Sequence, residues 1–297
     1  MSTDFRAISE GMAAVVESAG LGVVQVDARR RHPASGIIWS ADGVIVTANH
    51  VVRRDNIRVG LPDGTGVEAT LIGRDPGIDL AALRVECNNL TAVKWSPEEE
   101  LSVGALVLAL GRPGQRVQAS LGILSAVGDE WRVHGGGKVS HFVRPDLVMY
   151  PGFSGGPVVG GNGQVIGMAT SALIREGGIA LTQSTVAPTV DSLLKHGTVR
   201  RGYLGVGVQT VRLPATLATE LDQETGVLLN SVEPDSPAER GGLVVGDILT
   251  AFDSETIASP NDLAVALRGD CAGNVTRTRI IRGGENQELM VEIGIVE

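Results

Sequence analysis

The feature of this chain with the clearest chemical meaning is a serine held in a glycine-rich turn. The run PGFSGGP at residues 151–157 places Ser154 where its hydroxyl projects outward and backbone N–H groups converge on one point. That arrangement suits the nucleophile of acyl transfer, in which backbone amides stabilise the oxyanion that forms. A glycine-flanked serine by itself is more often an ordinary surface turn. The interpretation therefore depends on partner residues elsewhere in the chain.

A histidine and an aspartate next to apolar runs supply those partners. His50 follows Val44–Ala48, and Asp79 heads Leu80–Val85. In the predicted triad Ser154 attacks the scissile carbonyl, His50 takes its proton and returns it to the leaving amine, and Asp79 orients the imidazole. Taken singly, His50 is more often a strand-end histidine and Asp79 a turn cap. Together, in the order His, Asp, Ser, the three residues predict catalysis.

The oxyanion hole is predicted to consist of backbone groups. We expect the N–H groups of Gly152 and Ser154 to point at the developing negative charge. No polar side chain is needed for this, so an inventory of side chains would miss the site.

Composition indicates the elements that position these residues. The chain has 297 residues, of which 43% are hydrophobic and 20% charged, with 40 Gly and only 3% aromatic residues. So much glycine fits turn-rich β structure and suits a helical bundle poorly, so the class is predicted to be mainly β. The length accommodates two domains, which we place at residues 1–198 and 199–297.

Short apolar runs separated by glycine predict two sets of strands in the first domain, after a helix over Asp4–Ser18. The first set runs from Leu21 to Val85 and contributes His50 and Asp79. The second runs from Ala105 to Thr182 and contributes Ser154. The segments 114–120 and 131–140 are predicted to be long loops.

Other chemistries have little support in the sequence. Cys87 and Cys271 fall in different predicted domains, so we expect free thiols. The five His are scattered, and no metal or other cofactor is predicted. The net charge of −9 argues against nucleic acid as a partner. Residues 201–297 have a net charge of −8, so most of the negative charge lies in the second domain.

The N-terminal region bears on location. Residues 7–19 are interrupted by polar and acidic side chains, and neither a signal peptide nor a membrane span is evident. The sequence as written predicts a cytoplasmic protein without a membrane partner. A location outside the cytoplasm is the alternative if a leader was removed.

The flanks of the triad resemble a known family. The stretches 34–52, 75–85 and 154–157, with the triad inside them, are similar to those of the HtrA (Deg) serine proteases. Downstream, residues 201–206 and 231–249 resemble the single PDZ domain appended to that family. The resemblance covers nearly the whole chain. It implies a chymotrypsin-like double β-barrel followed by a PDZ domain.

The resemblance also implies where peptides bind in the second domain. The loop Tyr203-Leu204-Gly205-Val206 matches the segment that captures a terminal carboxylate, after which the peptide adds as a strand. The helix bearing Leu263 and Leu267 is expected to form the other wall of the groove. Core roles for Leu204, Val206 and Leu263 are the competing interpretation.

Substrate preference depends on the primary specificity pocket. In this fold its floor is set six residues before the serine, at Val148. Since no carboxylate stands there, cleavage after Arg or Lys is disfavoured. Val148 and Met149, with Ala169 and Ser171 from a neighbouring strand, predict a small apolar slot.

The predicted function is therefore an endopeptidase that acts on unfolded or damaged polypeptides, with a PDZ domain that binds C-terminal peptides. Family members typically form trimers, so a homotrimer is expected from the resemblance. The rival prediction is a catalytically silent chaperone or scaffold in which PDZ binding is the whole function. A further hypothesis is that a PDZ ligand raises protease activity.

Overall fold

The computed structural model describes residues 5–133, 137–198, 201–267 and 271–296. The chain divides into two compact units, Met1–Thr198 and Val199–Glu297. Both are built mainly of strands, which confirms the predicted class.

The first unit begins and ends with a helix, with strands between. Its helices are α1 (Phe5–Gly20) and α2 (Gln183–His196), and short 3₁₀ helices cover Asn49–Val51 and Glu98–Glu100. Its strands are β1 (Val23–Asp27), β2 (Ala34–Ile38), β3 (Val44–Ala48), β4 (Ile57–Gly60), β5 (Gly66–Asp75), β6 (Leu80–Val85), β7 (Leu106–Gly111), β8 (Gln118–Gly128), β9 (Trp131–Arg132), β10 (Lys138–Val139), β11 (Phe142–Asp146), β12 (Pro157–Gly160), β13 (Val165–Thr170) and β14 (Ile179–Leu181).

The first six strands close into a barrel in the order β1-β2-β3-β6-β5-β4. Every residue of β2 and β3 is buried, as expected for strands that form the wall of a small, filled barrel. Branched and aliphatic side chains such as Ile45, Val59 and Leu83 fill the interior. The predicted first set of strands is confirmed, and it places His50 and Asp79 at strand ends.

The second set forms a six-stranded antiparallel sheet in the order β11-β8-β7-β12-β13-β14. Its outer strands β11 and β14 lie close to each other, so the sheet curls toward closure. Phe153, which precedes the predicted nucleophile, is fully buried in the core of this sheet. The serine turn is thereby anchored through its own neighbour.

One predicted loop has more structure than expected. Within 131–140, β9 pairs with β10 in a short hairpin whose connecting residues 134–136 lie outside the described part of the chain. Trp131 packs edge-on against Phe142 with ring centroids 5.3 Å apart. This aromatic pair, distant in sequence, gives the segment a packing partner that local glycine content did not reveal.

The second unit is a separate β domain with three helices. Its strands are β15 (Arg201–Tyr203), β16 (Val206–Arg212), β17 (Thr225–Val232), β18 (Ile248–Phe252), β19 (Glu255–Thr256), β20 (Val275–Arg282), β21 (Glu285–Glu292) and β22 (Gly294–Val296). Its helices are α3 (Ala215–Leu221), α4 (Pro237–Arg240) and α5 (Pro260–Ala266). The main sheet has the order β16-β17-β18-β20-β21, so β16 is an edge strand.

Local signals in the second unit were accurate. Ser259 caps α5 in a reciprocal capping box with Asp262, and Pro260 occupies the first helical position, and both are local sequence signals of a helix start. The hairpin of β20 and β21 turns at Gly283 and Gly284, both with positive φ.

Among the described residues, no helix has the length and apolar character needed to span a membrane.

Candidate active site

His50 and Asp79 form a hydrogen-bonded pair. The 3₁₀ turn that follows β3 carries His50, and its Nδ1 lies 2.7 Å from Asp79 Oδ2. The His50 backbone amide donates to the other carboxylate oxygen at 2.8 Å. Both carboxylate oxygens are therefore engaged, which fixes the ring orientation and leaves Nε2 for a reacting group.

The backbone around Asp79 is specialised. Asp79 has a left-handed φ of 57°, and its carbonyl accepts from the Asn49 amide at 3.0 Å. The Thr170 hydroxyl, at the end of β13, donates to the same carboxylate oxygen that faces His50. Asp79 is 3% exposed, so a buried charge is balanced by three donors. This network ties β6 and β13, from the two sheets, to one carboxylate.

Ser154 lies in a turn built by positive-φ glycines. Gly152 and Gly155 have φ of 96° and 86°, which L side chains rarely adopt. The Gly155 amide donates to the Ala169 carbonyl at 2.8 Å, and the Ala169 amide donates to the Gly156 carbonyl at 2.8 Å. The turn is therefore fastened to β13 on its far side. The Ser154 hydroxyl lies 3.4 Å from the Ser171 hydroxyl.

The segment 152–154, which is predicted to form the oxyanion hole and is called the oxyanion segment below, is held by hydrogen bonds with Ser35. The Ser35 hydroxyl donates to the Gly152 carbonyl at 2.6 Å and accepts from the Arg112 amide at 2.7 Å. The Ser35 amide donates to the Ser154 carbonyl at 3.2 Å. The amides of Gly152 and Ser154 donate no hydrogen bond within the described residues. They remain as donors for a negatively charged oxygen.

These groups share one cleft of about 620 Å³. Its lining consists of two segments and three single residues: Arg29, Arg30, Arg31 and His32; Met149, Tyr150, Pro151 and Gly152; and His50, Ser154 and Ser171. A pair of aromatic rings stiffens its floor, since Tyr150 packs edge-on against Phe153 at 5.5 Å. The cleft thus brings His50, Ser154 and the predicted oxyanion glycine together.

The predicted specificity residues separate into two groups. Met149 and Ser171 line the cleft. Val148 is not among the lining residues and is 56% exposed, which does not support its predicted position on the pocket floor. Ala169 is 1% exposed and packs beneath the serine turn.

Two residues that support the site were missed in the sequence analysis. Ser35 and Thr170 stand in apolar strands, and both are fully buried. A buried hydroxyl in a strand requires a hydrogen-bond partner, which was the available signal. Their partners are far away in sequence, so the signal could not say which groups they hold.

In the second unit, the predicted peptide loop adjoins an edge strand. Gly205 has a φ of 78°, and its carbonyl accepts from the Glu233 amide at 2.9 Å. The Tyr203 hydroxyl donates to the Glu233 carboxylate, and this bond raises the pKa of Tyr203. Leu204 and Leu263 are buried in the core, as the competing interpretation held, while Val206 and Leu267 pack at its margin.

The described part of the chain contains no cluster of three or more His, Cys, Asp and Glu groups suited to a metal ion. Cys87 and Cys271 are both half-buried, and the Cys271 thiol donates to the Ala266 carbonyl at 3.1 Å.

Comparison with known proteins follows the two units. Residues 34–168 match the trypsin-like peptidase domain and residues 202–293 match the PDZ domain. A relative from Pseudomonas putida (strain GB-1), named "Probable periplasmic serine endoprotease DegP-like", is 36% identical over 267 residues, covering 88% of this chain and 55% of the relative. One of the same name from Halomonas elongata is 34% identical over 272 residues, covering 89% and 57%. The chain thus spans about half the length of these curated relatives.

Solved structures match over the whole chain. The HtrA-type protease AlgW with tripeptide is 30% identical with a TM-score of 0.75, covering 96% of this chain and 97% of that one. The serine endoprotease from Yersinia pestis is 26% identical with a TM-score of 0.76, and the match covers 100% of both chains.

Proposed function

This chain belongs to the HtrA family of serine proteases, and we propose that it is an endopeptidase that cleaves unfolded or damaged polypeptides with His50, Asp79 and Ser154. The observation that carries the proposal is the His50–Asp79 pair, joined at 2.7 Å, in the cleft that also holds Ser154. Each residue has the chemistry its role requires.

In the proposed reaction, Ser154 Oγ attacks the peptide carbonyl while His50 Nε2 takes its proton. The negative charge on the carbonyl oxygen is received by the Gly152 and Ser154 amides, in a segment whose carbonyl oxygens at both positions accept hydrogen bonds from Ser35. His50 then gives the proton to the leaving amine, and the acyl-enzyme is hydrolysed by water in the same way. Asp79 holds the imidazole and stabilises its charged form.

Peptide preference is proposed to follow the apolar side of the cleft. Met149 gives that side an apolar surface, and no lining residue among those described is a carboxylate. A cationic side chain placed there would lose its hydration without a partner. Cleavage after small or medium aliphatic residues such as Val, Ala or Leu is therefore favoured over cleavage after Arg or Lys.

The second unit is proposed to bind C-terminal peptides. Its edge strand β16 offers unpaired backbone groups beside α5, and Gly205 stands at the beginning of that strand. The relatives are named periplasmic, and a location outside the cytoplasm is the proposal for this chain as well. The cytoplasmic expectation finds no support among them.

The decisive test is covalent labelling. A serine-directed fluorophosphonate should label the purified protein, and Ser154→Ala should abolish both the label and the cleavage of casein. The exposed Ser125→Ala is the matched control and should retain both. A folded parent protein that is neither labelled nor active would favour the silent scaffold.

A further inference from the structure

One wall of the proposed active-site cleft is strongly basic. The loop between β1 and β2 contributes Arg29, Arg30, Arg31 and His32 to the cleft lining. The first 200 residues carry a net charge of only −1, so this loop is a local concentration of charge on a nearly neutral unit.

The charges at the tip of the loop are not neutralised. Arg30 and Arg31 are exposed, and neither makes an ion pair within the part of the chain that the structure describes. No Asp or Glu is among the described residues of the cleft lining. The carboxylate of Asp79 already accepts hydrogen bonds from His50 and Thr170.

The loop is held in place from within. The Arg29 guanidinium donates to the carbonyl of His32 at 2.6 Å, which closes the loop on itself. The Arg53 amide donates to the Ala28 carbonyl at 2.8 Å and anchors the loop at its start. Arg30 and Arg31 therefore project from a fixed backbone, so little ordering is required when a ligand binds them.

The loop runs beside the catalytic turn. Its last residue, Pro33, has its carbonyl oxygen 2.8 Å from the point where a Cβ on Gly152 would lie. The Arg53 side chain donates to the His50 carbonyl at 2.8 Å, so the anchor of the loop is also next to His50. In acyl transfer the leaving amine receives its proton from the histidine, so residues after the scissile bond leave along this flank. Met149 and Ser171 remain for the acyl side.

We propose that Arg30 and Arg31 are specificity-determining residues that select substrates with Asp or Glu in the first positions after the scissile bond. This rests on the proposed endopeptidase function and deepens it. An arginine pairs readily with a carboxylate and remains charged at any physiological pH. The ligand is an acidic stretch of polypeptide, bound as the leaving-group side of the substrate.

The test is cleavage-site profiling of the full-length protein. A peptide library derived from a digested proteome is incubated with the enzyme, and mass spectrometry maps every cut. We expect Asp and Glu to be enriched about threefold in the first three positions after the cut, consistent with exposed ion pairs in a preformed site. The enrichment should shrink at high salt, because exposed charges are screened.

Variants separate charge recognition from loop shape. In the variant Arg30→Gln/Arg31→Gln, the frequency of Asp and Glu after the cut should fall to that of the library. In the variant Arg30→Glu/Arg31→Glu, the enriched residues after the cut should be Lys and Arg instead of Asp and Glu. The control Arg6→Gln/Arg58→Gln removes two exposed charges of the same unit that lie outside the cleft and should keep the parent profile.

Either of two results would overturn the inference. One is a cleavage profile of the parent protein that shows no enrichment of Asp and Glu. This result counts against the inference even if the arginines bind the protein to an anionic polymer such as heparin. The other is an enrichment that survives in Arg30→Gln/Arg31→Gln. Absence of any Ser154-dependent cutting would instead refute the proposed endopeptidase, and the Ser154→Ala sample distinguishes this case.

Discussion

At the scale of single residues, the site depends on a few backbone groups held by side chains outside the triad. Gly152 shows this most clearly, because its φ of 96° and its crowded surroundings exclude any side chain. Its amide is a proposed donor to the oxyanion, so its conformation is directly tied to the rate of the chemical step.

We therefore predict that Gly152→Ala lowers kcat by about 10²-fold or more while the protein remains folded. The added Cβ would lie 2.6 Å from Pro113 Cβ, which forces the oxyanion segment to move. Steady-state peptidase kinetics measure the loss. Gly161→Ala is the matched control, because a Cβ there meets nothing within 4 Å and activity should be unchanged. Equal activity of the two variants would contradict the assigned oxyanion role.

Ser35 is expected to affect the same chemical step indirectly, through its hydrogen bond to Gly152. Ser35→Ala removes the donor to the Gly152 carbonyl and the acceptor of the Arg112 amide, both buried. Leaving such groups unpaired costs about 1–3 kcal/mol. We predict a kcat loss of at least tenfold with KM nearly unchanged, since the segment can then turn away from the oxyanion. Ser35→Thr, which keeps the hydroxyl, should recover part of the rate. If Ser35 had only a structural role, Ser35→Ala would lower stability without lowering kcat at nearly constant KM.

At the scale of elements, distant residues complete helix ends and strand ends. The carboxylate of Glu98 accepts from the Ser184 amide at 2.9 Å, at the beginning of α2, and pairs with His141 at 2.7 Å. Burial opposes the charge of Glu98, but the hydrogen bonds from Ser184 and Thr182 and the attraction of His141 outweigh it and lower its pKa. Glu98 thus caps a helix to which it is not adjacent in sequence.

This lowered pKa predicts a pH-dependent contribution to stability. Glu98 stabilises the fold fully above the unfolded-chain value of about 4.3, and the contribution disappears as the pH falls through the lower folded-state value. Glu98→Gln should cost about 1 kcal/mol at pH 7. The cost should be smaller at pH 3 than at pH 7, as measured by urea unfolding at both pH values. Glu99→Gln, at an exposed neighbour, should be neutral at both, and a cost for Glu98→Gln that does not change with pH would contradict the cap.

At the scale of the whole molecule, two separately folded units divide the chemistry from the proposed peptide recognition. The second unit carries a net charge of −7 and should disfavour acidic C termini, whereas the basic loop of the first is proposed to favour acidic residues. The two units would thus select different features of a polypeptide.

We predict that a peptide ending in an apolar residue stimulates cleavage of a chromogenic substrate by the full chain about tenfold. Such a gain needs only about 1.4 kcal/mol of differential affinity between the active and less active states of the protease. The same peptide with an amidated C terminus is the control. Gly205→Val should abolish stimulation, because a side chain at its φ of 78° would collide with Ser236. If the Tyr150–Pro151 segment keeps the oxyanion hole formed at all times, no peptide will stimulate, and deletion of residues 201–297 will leave turnover unchanged.

Much of this architecture could be predicted from the sequence. Glycine spacing and short apolar runs indicated strands, and Ser259 with Pro260 marked the start of α5, because such preferences arise within a few residues of backbone. The triad was equally accessible, since a serine in a glycine turn and a histidine after an apolar strand have local signatures. The resemblance to a known family extended those local signals to both units.

Tertiary structure alone decided which side chains face the reaction. Neighbouring residues of an irregular segment can differ in exposure, so the sequence could not show that Met149 lines the cleft while Val148 is exposed outside it. Ser35 and Thr170 were invisible as supports because their partners lie 117 and 91 positions away. The same holds for the arginines between β1 and β2, which line one cleft with Ser154 only after the strands pair and the two sheets meet around Asp79. Contacts between segments so far apart arise from packing, and no local pattern encodes them.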